Sequence, residues 1–409
     1  MTSKKPGEKS PILKAAWDRY HASLEEMRIE IESSPLFDMT ENQRGRAYHQ
    51  LMEVQAMAYN FAIAPRMTHP RLFRNISWQS DVYCSGGNGA DFHYVTVFLD
   101  GEQTYRLRVK MNDSQMLLAQ HNSALPGVEG SKMLANYEIT DFDVKPNGTA
   151  EIILSADEHK GNWIKLDREA GYQWFLFRPV VSNWTNKGAD LEIERISEIA
   201  PGHYDADDFD EAGVARRIGL ATDFLRYMVK SWMLAFHPWI MKKSGVVNKF
   251  EIMGGEESGE VGSPSALYIF APYDLKDDEA LIMDMKAPPN GPYWSVQLFD
   301  IFLRTIDFRT HQTALSMDLL HQDSDGGVRV VISHRDPGVA NWLETSGFSK
   351  GQILVRAYLT TNASNPTAKV VKVSDVLSHL PDSTKRISAQ DRAAAMLARR
   401  KGYERRYGE

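Results

Sequence analysis

Apolar residues first recur at helical spacing. Trp17, Tyr20, Leu24 and Met27 fall three and four residues apart, which lines them along one stripe of an α-helix. Ser33-Ser34-Pro35 interrupts the stripe. Thr40 then offers an N-cap hydroxyl to a second helix running through Tyr48, Leu51, Met52, Val54, Met57, Ala58 and Phe61, with Pro65 ending it. From Trp78 to about Arg178 the period shortens to two, in runs broken by turn formers. Tyr94–Leu99 and Thr104–Val109 flank Asp100-Gly101, a pair that accepts positive φ, so the pattern predicts a β-hairpin. Further strands are expected over 137–144, 150–155, 163–166 and 173–179, with Asn147-Gly148 as a second hairpin turn. This region reads as an antiparallel β-sandwich.

An acidic loop follows, with Asp205, Asp207, Asp208, Asp210 and Glu211. It lacks the glycine and terminal glutamate spacing of an EF-hand and reads as a linker whose carboxylates favour a helix N-terminus. The helix expected over 211–242 carries Phe224, Tyr227, Met228, Trp232, Met233 and Phe236, a core or interdomain set. Gly254 to Gly262 holds four glycines and three acids but no Lys-Ser/Thr ending, so it reads as a loop and not a phosphate cradle. Alternation returns from Leu267 to Leu359, and Ser388 with Asp391 fits a capping box for a last helix.

The fold class expected is therefore mainly β with helical additions (α+β). Two antiparallel sandwich-like halves are joined by N-terminal helices, an aromatic-rich connecting helix and a C-terminal helix. The divisions expected are a helical region over 1–70, a first β region over 71–200 and a linker with the connecting helix over 201–262. A second β region over 263–362 and a basic tail over 363–409 complete the chain.

Composition narrows the function classes. A chain of 409 residues, 43% hydrophobic and 25% charged, buries a core without disulfides or metal, and Cys84 is its one cysteine. A net charge of −7 argues against general nucleic-acid binding. No apolar run follows the positive N-terminal residues, and Asp223, Arg226 and Lys230 interrupt the most apolar segment, 218–241. A membrane span is not expected, and a cytoplasmic setting follows by elimination. The tail from Pro381 carries eight Lys and Arg against four acids, read as a solvated helix or a surface for an anionic partner.

Three stretches resemble a known family. Leu281-Ile-Met-Asp-Met, the run from Pro292 to Arg309 and the run from Val328 to Gly347, with its His334-Arg335-Asp336-Pro337-Gly338 and Asn341-Trp342-Leu343, are similar to segments of bacterial proteins with the domain of unknown function 1214. Asp274 to Leu281 resembles the lead-in to that domain. Trp17 to Leu24, Gly45 to Leu51 and Thr104 to Arg108 resemble the opening of its longer members. The resemblance implies two sandwich-like halves in a bacterial protein, and relatives often look like parts of lipid, steroid or aromatic catabolism. It transfers no catalytic residue. Where longer members usually show a Gly-Asp-Asn-Pro-Asp-type loop, this chain has Gly86-Gly87-Asn88-Gly89-Ala90-Asp91.

Candidate chemistry gathers in the second β region. If the segment is extended, Asp307, Arg309 and His311 share a face. His311 polarised by Asp307 would move a proton, and Arg304 and Arg309 would hold an anion, with His334 as a further catalytic candidate. On the strand from Tyr293, Trp294 faces the core while Tyr293 and Gln297 face a groove or solvent. Tyr293, Trp294, Gln297, Arg304, Arg335, Asn341 and Trp342 would shape the substrate pocket. The same residues also fit a surface network of ion pairs and, at Asn341 and Trp342, a locked Pro-Gly turn. In the first β region Trp78, Asp81, Tyr83, Tyr105, Arg106 and Arg108 form a second polar set, for an anion or as a solvated edge.

Twelve histidines show no metal-ligand spacing, and no nucleophile elbow or dinucleotide fingerprint occurs, so neither a metal nor another cofactor is expected. The reading is a cofactor-independent protein acting on, or binding, a hydrophobic small molecule with an anionic handle, by elimination, isomerisation or hydrolysis if it turns over. A homo-oligomer stays open. The alternative is a non-catalytic sandwich that binds carbohydrate or protein through aromatics such as Trp163, Trp174 and Trp184.

Overall fold

Helix α1 (Pro11–Ser33) begins where the Ser10 hydroxyl accepts from the Leu13 amide, and it buries Ser23, Met27 and Ile31 while Trp17 stays exposed. In this computed structural model residues 10–80, 82–198, 209–254, 262–288, 290–360 and 363–407 are described. Asp81, most of the acidic loop and the centre of the Gly254–Gly262 segment lie outside them. Helix α2 (Gln43–Ala58) starts from Asn42, in the left-handed conformation, not from Thr40. Helix α3 (Glu211–Tyr227) is N-capped by Asp210 and runs through a π turn into α4 (Phe236–Ser244). Helix α1 lies along α3, where Glu26 pairs with Arg226 and Lys230.

The strands build two sandwiches. In the first, β1 (Val95–Leu99), β7 (Gln173–Val180), β3 (Met116–Asn122) and β4 (Met133–Glu138) form one sheet in that order. The other holds β6 (Trp163–Lys165), β5 (Thr149–Ser155), β2 (Tyr105–Lys110) and β8 (Asp190–Arg195). The hairpin expected at Asp100-Gly101 does not form: β1 and β2 lie in different sheets, because Val95, Val97 and Leu99 must face Tyr105, Leu107 and Val109 across the core. Asn147-Gly148 does make a tight turn, with φ +77° at Gly148, but β4 and β5 on its two sides belong to different sheets.

After β9 (Glu251–Gly254) the plan repeats. Strands β10 (Ala266–Asp274), β16 (Lys350–Tyr358), β12 (Tyr293–Phe299) and β13 (Ala314–Ser316) form one sheet, with β9 added at its edge. Strands β11 (Glu279–Lys286), β14 (Gly327–Ser333), β15 (Trp342–Glu344) and β17 (Thr367–Lys372) form the other. Each of β1–β8 has its counterpart in β10–β17, with the same neighbours and, in each half, one short parallel pair, β5–β6 and β14–β15. The registers make Phe175-Leu176-Phe177-Arg178 equivalent to Ile353-Leu354-Val355-Arg356. The chain is thus an internal structural duplication, mainly β with helical additions.

Each sandwich has its own core. A third and larger cluster joins the outer faces of the β1 and β10 sheets to helices α1–α4. The outer faces supply Phe98, Leu118, Trp174 and Leu176 from the first half and Tyr268, Phe270, Leu354 and Tyr358 from the second. These strands are buried on both sides, which is why they read as near-continuous apolar runs. Helix α5 (Ala389–Tyr407) docks on both halves. Its basic residues are not all solvated, as the tail had suggested: Arg392, Arg399 and Arg406 recur on one face and are buried. They donate to the carbonyls of Val339 and Ala340, of Phe308 and Ala314, and of Val181 and Asn183 respectively.

Candidate functional site

The segment after β12 is not extended. Residues 307–310 turn, and Asp307 accepts from the Arg309 amide at 2.8 Å, the Arg309 Nε at 3.3 Å and the Thr310 hydroxyl at 2.6 Å. Partial burial works against the charge of Asp307, and those hydrogen bonds outweigh it, so its pKa falls below the ordinary value. His311 pairs with Glu344 instead, Nδ1 to Oε1 at 2.9 Å. His334 lies past the end of β14, where its Nδ1 meets the Thr345 hydroxyl at 2.7 Å. Among the described residues no hydrogen bond joins Asp307, His311 and His334 to one another. Arg309 also lies over the Tyr403 ring, 5.6 Å from its centroid, and Arg335 is exposed.

The expected pocket residues are structural in their contacts. Trp294 packs in the second core. Tyr293, expected at a groove, is fully buried and donates its hydroxyl to Asp91 Oδ2 at 2.6 Å. Gln297 is buried as well, donating to the Asn88 carbonyl and accepting from the Ala90 amide, each at 3.0 Å. Arg304 pairs with Glu53 of α2. Asn341 holds backbone groups of His321 and Arg329, and Trp342 Nε1 donates to Ser333 Oγ at 2.9 Å. The first half repeats this lock: Asn162 holds backbone groups of Asp143 and Glu151, and Trp163 Nε1 donates to Ser155 Oγ at 3.1 Å. An arrangement made twice at equivalent places secures the short parallel strand after each β-turn. In the first β region Arg106 and Arg108 pair across strands with Glu151 and Glu194, while Trp78, Tyr83 and Tyr105 are buried.

A cavity lies elsewhere, in the cluster between the halves and α3–α4. It is narrow, leaving a water molecule's centre about 40 Å³ to move in. Trp232, Phe236, Trp239 and Phe270 supply aromatic wall, and Met253, Leu303 and Leu354 aliphatic wall. Two arginines from equivalent positions, Arg178 and Arg356, line it, together with Tyr94, Tyr268 and Tyr358. Arg356 is 5% exposed. It donates Nη2 to the Gly87 carbonyl and lies over the Phe92 and Tyr268 rings at 5.4 and 5.7 Å. No carboxylate of the described residues pairs with it, and its Nε has no hydrogen-bond partner. The Trp232 indole N–H, on the same wall, has none either. Burial pushes the Tyr94 and Tyr358 phenols up, so both stay protonated donors at neutral pH.

The Gly86–Asp91 loop fits this wall. A Cβ at Gly89 would collide with the Arg356 guanidinium and the Phe92 ring, and Gly86 and Gly87 have φ of +89° and +74°. Two side-chain-bearing residues of the wall, Gln79 and Leu303, also hold positive φ, +62° and +55°, a conformation that costs about 1 kcal/mol or more and tends to collect at functional sites. None of the site residues expected from the sequence lines the cavity. What marks it in the sequence is an arginine inside an apolar run, at Arg178 and again at Arg356, and the glycine spacing of the loop.

Residues 272–362 match the family described as Protein of unknown function (DUF1214). The chain carries a DUF1214 domain. This domain is nearly the whole second sandwich from the end of β10 onward, and Arg356 lies within it while Arg178 does not. The protein is similar in structure to an uncharacterized protein from Burkholderia cenocepacia, with a TM-score of 0.77 and 23% identity over 89% of this chain and 98% of that one. That similarity establishes the fold alone. The VPA0106 protein of Vibrio parahaemolyticus is more distant, with a TM-score of 0.46 and 12% identity over 88% of this chain and 100% of that one. The sequence has no significant match among curated proteins. Among the described residues, no helix is long and apolar enough to cross a membrane, and no group of three or more His, Cys, Asp or Glu is placed to hold a metal ion.

Proposed function

We propose that the DUF1214 protein binds a hydrophobic small molecule in the cavity between its halves and holds an anionic group of that molecule on Arg356. The observation that carries this is the buried guanidinium with no carboxylate beside it among the described residues. A charge taken out of water is costly unless paired, and a bound carboxylate would pair it and take the open Nε–H. The Trp232 N–H offers a second donor, and the aromatic wall suits a slender apolar body. A fatty acid or a flat aromatic acid fits both demands.

Among the described lining residues the titratable groups are phenols and guanidiniums; none is a carboxylate or an imidazole. The reading is therefore of binding, and any proton transfer at this wall would fall to Tyr94, Tyr268 or Tyr358. The carbohydrate- or protein-binding alternative has less support, since Trp174 and Trp184 are buried and Trp163 is tied to Ser155.

The test is a thermal-shift screen of the wild type and Arg356→Met with decanoate and 2-naphthoate, each beside its neutral alcohol. An acid at 100 times its dissociation constant should stabilise the wild type by roughly 2.7 kcal/mol and leave the variant unmoved. Equal shifts with acid and alcohol, or with wild type and variant, would sink the proposal.

A further inference from the structure

Around Arg356 the cavity wall is built from hydrogen-bond donors. Tyr268 stands opposite Arg356 across the β10–β16 ladder, and its ring centroid lies 5.7 Å from the guanidinium. Tyr358 stands two residues further along β16, on the same face as Arg356. Tyr94 reaches the group from the first half. Its hydroxyl accepts from the Gly89 amide at 3.0 Å, at the glycine whose missing side chain makes room for the Arg356 guanidinium. The Phe92 ring sits among them, 5.4 Å from the guanidinium and 5.5 Å from each of the Tyr94 and Tyr358 rings. The three tyrosines line the cavity and are between 2% and 8% exposed.

The hydrogen-bond inventory of this wall is one-sided. The Tyr94 oxygen accepts from Gly89, and the Tyr268 oxygen accepts from the Ser263 amide at 3.3 Å. Each hydroxyl proton still needs an acceptor, and no described residue supplies one. The Tyr358 hydroxyl makes no hydrogen bond with the described residues, and neither does Arg356 Nε. Against these four donors the lining offers one side-chain amide oxygen, that of Gln79, whose nitrogen donates to the Gly86 carbonyl. Buried donors without acceptors cost free energy, and a ligand that brings acceptors recovers it. A carboxylate on Arg356 falls short of the whole set, because Tyr358 lies about 7 Å further along the strand. An acceptor oxygen on the carbon beside the carboxylate extends the reach. The stacked Trp232 and Phe236 rings, 5.8 Å apart, give the remaining lining a flat aromatic face that suits a ring. We infer that the cavity takes an aromatic 2-oxo acid, its carboxylate on Arg356 and its keto oxygen on the Tyr358 hydroxyl. The inference rests on the binding reading above and adds the chemistry of the head group. A keto oxygen only accepts, whereas a hydroxyl at that carbon would add a donor to a wall already short of acceptors.

Calorimetric titration of the full chain with phenylglyoxylate, mandelate and phenylacetate tests this, since the three differ only at the carbon beside the carboxylate. Wild type should bind phenylglyoxylate about tenfold more tightly than phenylacetate, the worth of one recovered buried hydrogen bond. It should also bind the oxo acid more tightly than either enantiomer of mandelate. Tyr358→Phe removes an oxygen that no described residue holds, so its thermal midpoint should match or exceed that of wild type. That variant should bind phenylacetate as wild type does and lose the preference for the oxo acid. Equal binding of phenylglyoxylate and phenylacetate to wild type would overturn the inference, as would mandelate binding as tight as the oxo acid. A preference that survives in Tyr358→Phe would overturn the place given to the keto oxygen. In each of those cases, acids that bind wild type and not Arg356→Met leave the anion reading standing. Failure of these three acids, decanoate and 2-naphthoate to bind wild type would remove that reading itself.

Discussion

The two sandwiches share a strand plan and differ in what covers them. In each half an Asn-Trp pair locks the short parallel strand, a cross-strand ion pair bridges the outer sheet, and the cores align position by position. The ion pair even survives with its charges exchanged: Arg108 faces Glu151 in the first half, and Asp284 faces Arg329 in the second. Differences concentrate where the first half reaches across. Its Gly86–Asp91 loop enters the second half and takes up Tyr293, Gln297 and Arg356. Helix α5 then seals the junction, with the Arg399 and Arg406 guanidiniums over the Trp184 ring at 5.0 and 4.5 Å and Trp184 donating to Asp91. What repeats is scaffold; what breaks the repeat marks the junction and its cavity.

The largest expected break of the symmetry is acid. His121 is buried in the first half, against Phe175 and Gln173, where the second half has Leu298. Burial lowers His121, and likewise His93 and His237, from 6.5 to about 4. The unfolded chain therefore takes up protons first as pH falls, so stability is full above pH 6.5 and declines toward pH 4. Each histidine contributes on the order of 1–3 kcal/mol to that decline. Denaturant midpoints measured from pH 7 to 4.5 should show it, and His121→Leu should flatten the slope by one histidine's share. An unchanged slope would mean that His121 titrates alike in the folded and the unfolded chain.

Next comes the graft between halves. Asp91→Ala leaves the Tyr293 hydroxyl and Trp184 N–H without their acceptor and the nearby Arg399 and Arg406 without its charge. A loss of about 3–5 kcal/mol in urea unfolding is expected. Met116 stands in the first half where Tyr293 stands in the second. Met116→Ala removes packing alone and should cost less, about 2–3 kcal/mol.

The duplicated lock sharpens the comparison at a smaller scale. Asn341 is buried and Asn162 is half-buried, with the same three backbone partners. Asn341→Ala should cost about 3 kcal/mol and Asn162→Ala about 1, by the same denaturation assay. Equal costs would show that the hydrogen bonds decide and burial does not. The smallest effect belongs to the exposed ion pair. Arg108→Glu should cost at most about 1 kcal/mol, and adding Glu151→Arg, which copies the second half's polarity, should restore it in a double-mutant cycle.

How much was legible depends on the range of the signal. Strand and helix positions follow from periods of 2 and 3.6, so the β-rich plan with two sandwich halves could be read from the alternation itself. Sheet membership could not. Asp100-Gly101 suits a hairpin locally, yet β1 and β2 part because both strands' apolar faces must meet across a core. The site candidates failed to meet for a related reason. Asp307, Arg309 and His311 looked collinear only on the assumption of an extended chain, and the Asp307 carboxylate turns the backbone by capping the Arg309 amide. The basic tail looked solvated because charge density is visible in sequence and carbonyl acceptors from distant strand ends are not.

By itself the sequence determined the element types, the DUF1214 resemblance in its C-terminal part and the two β regions, since each rests on residues near one another in the chain. Tertiary structure alone decided that the β regions are copies of one plan and that Tyr293 belongs to Asp91. It alone put Arg178 and Arg356 on the wall of one cavity, because those relations depend on strand register and on a glycine loop crossing between halves.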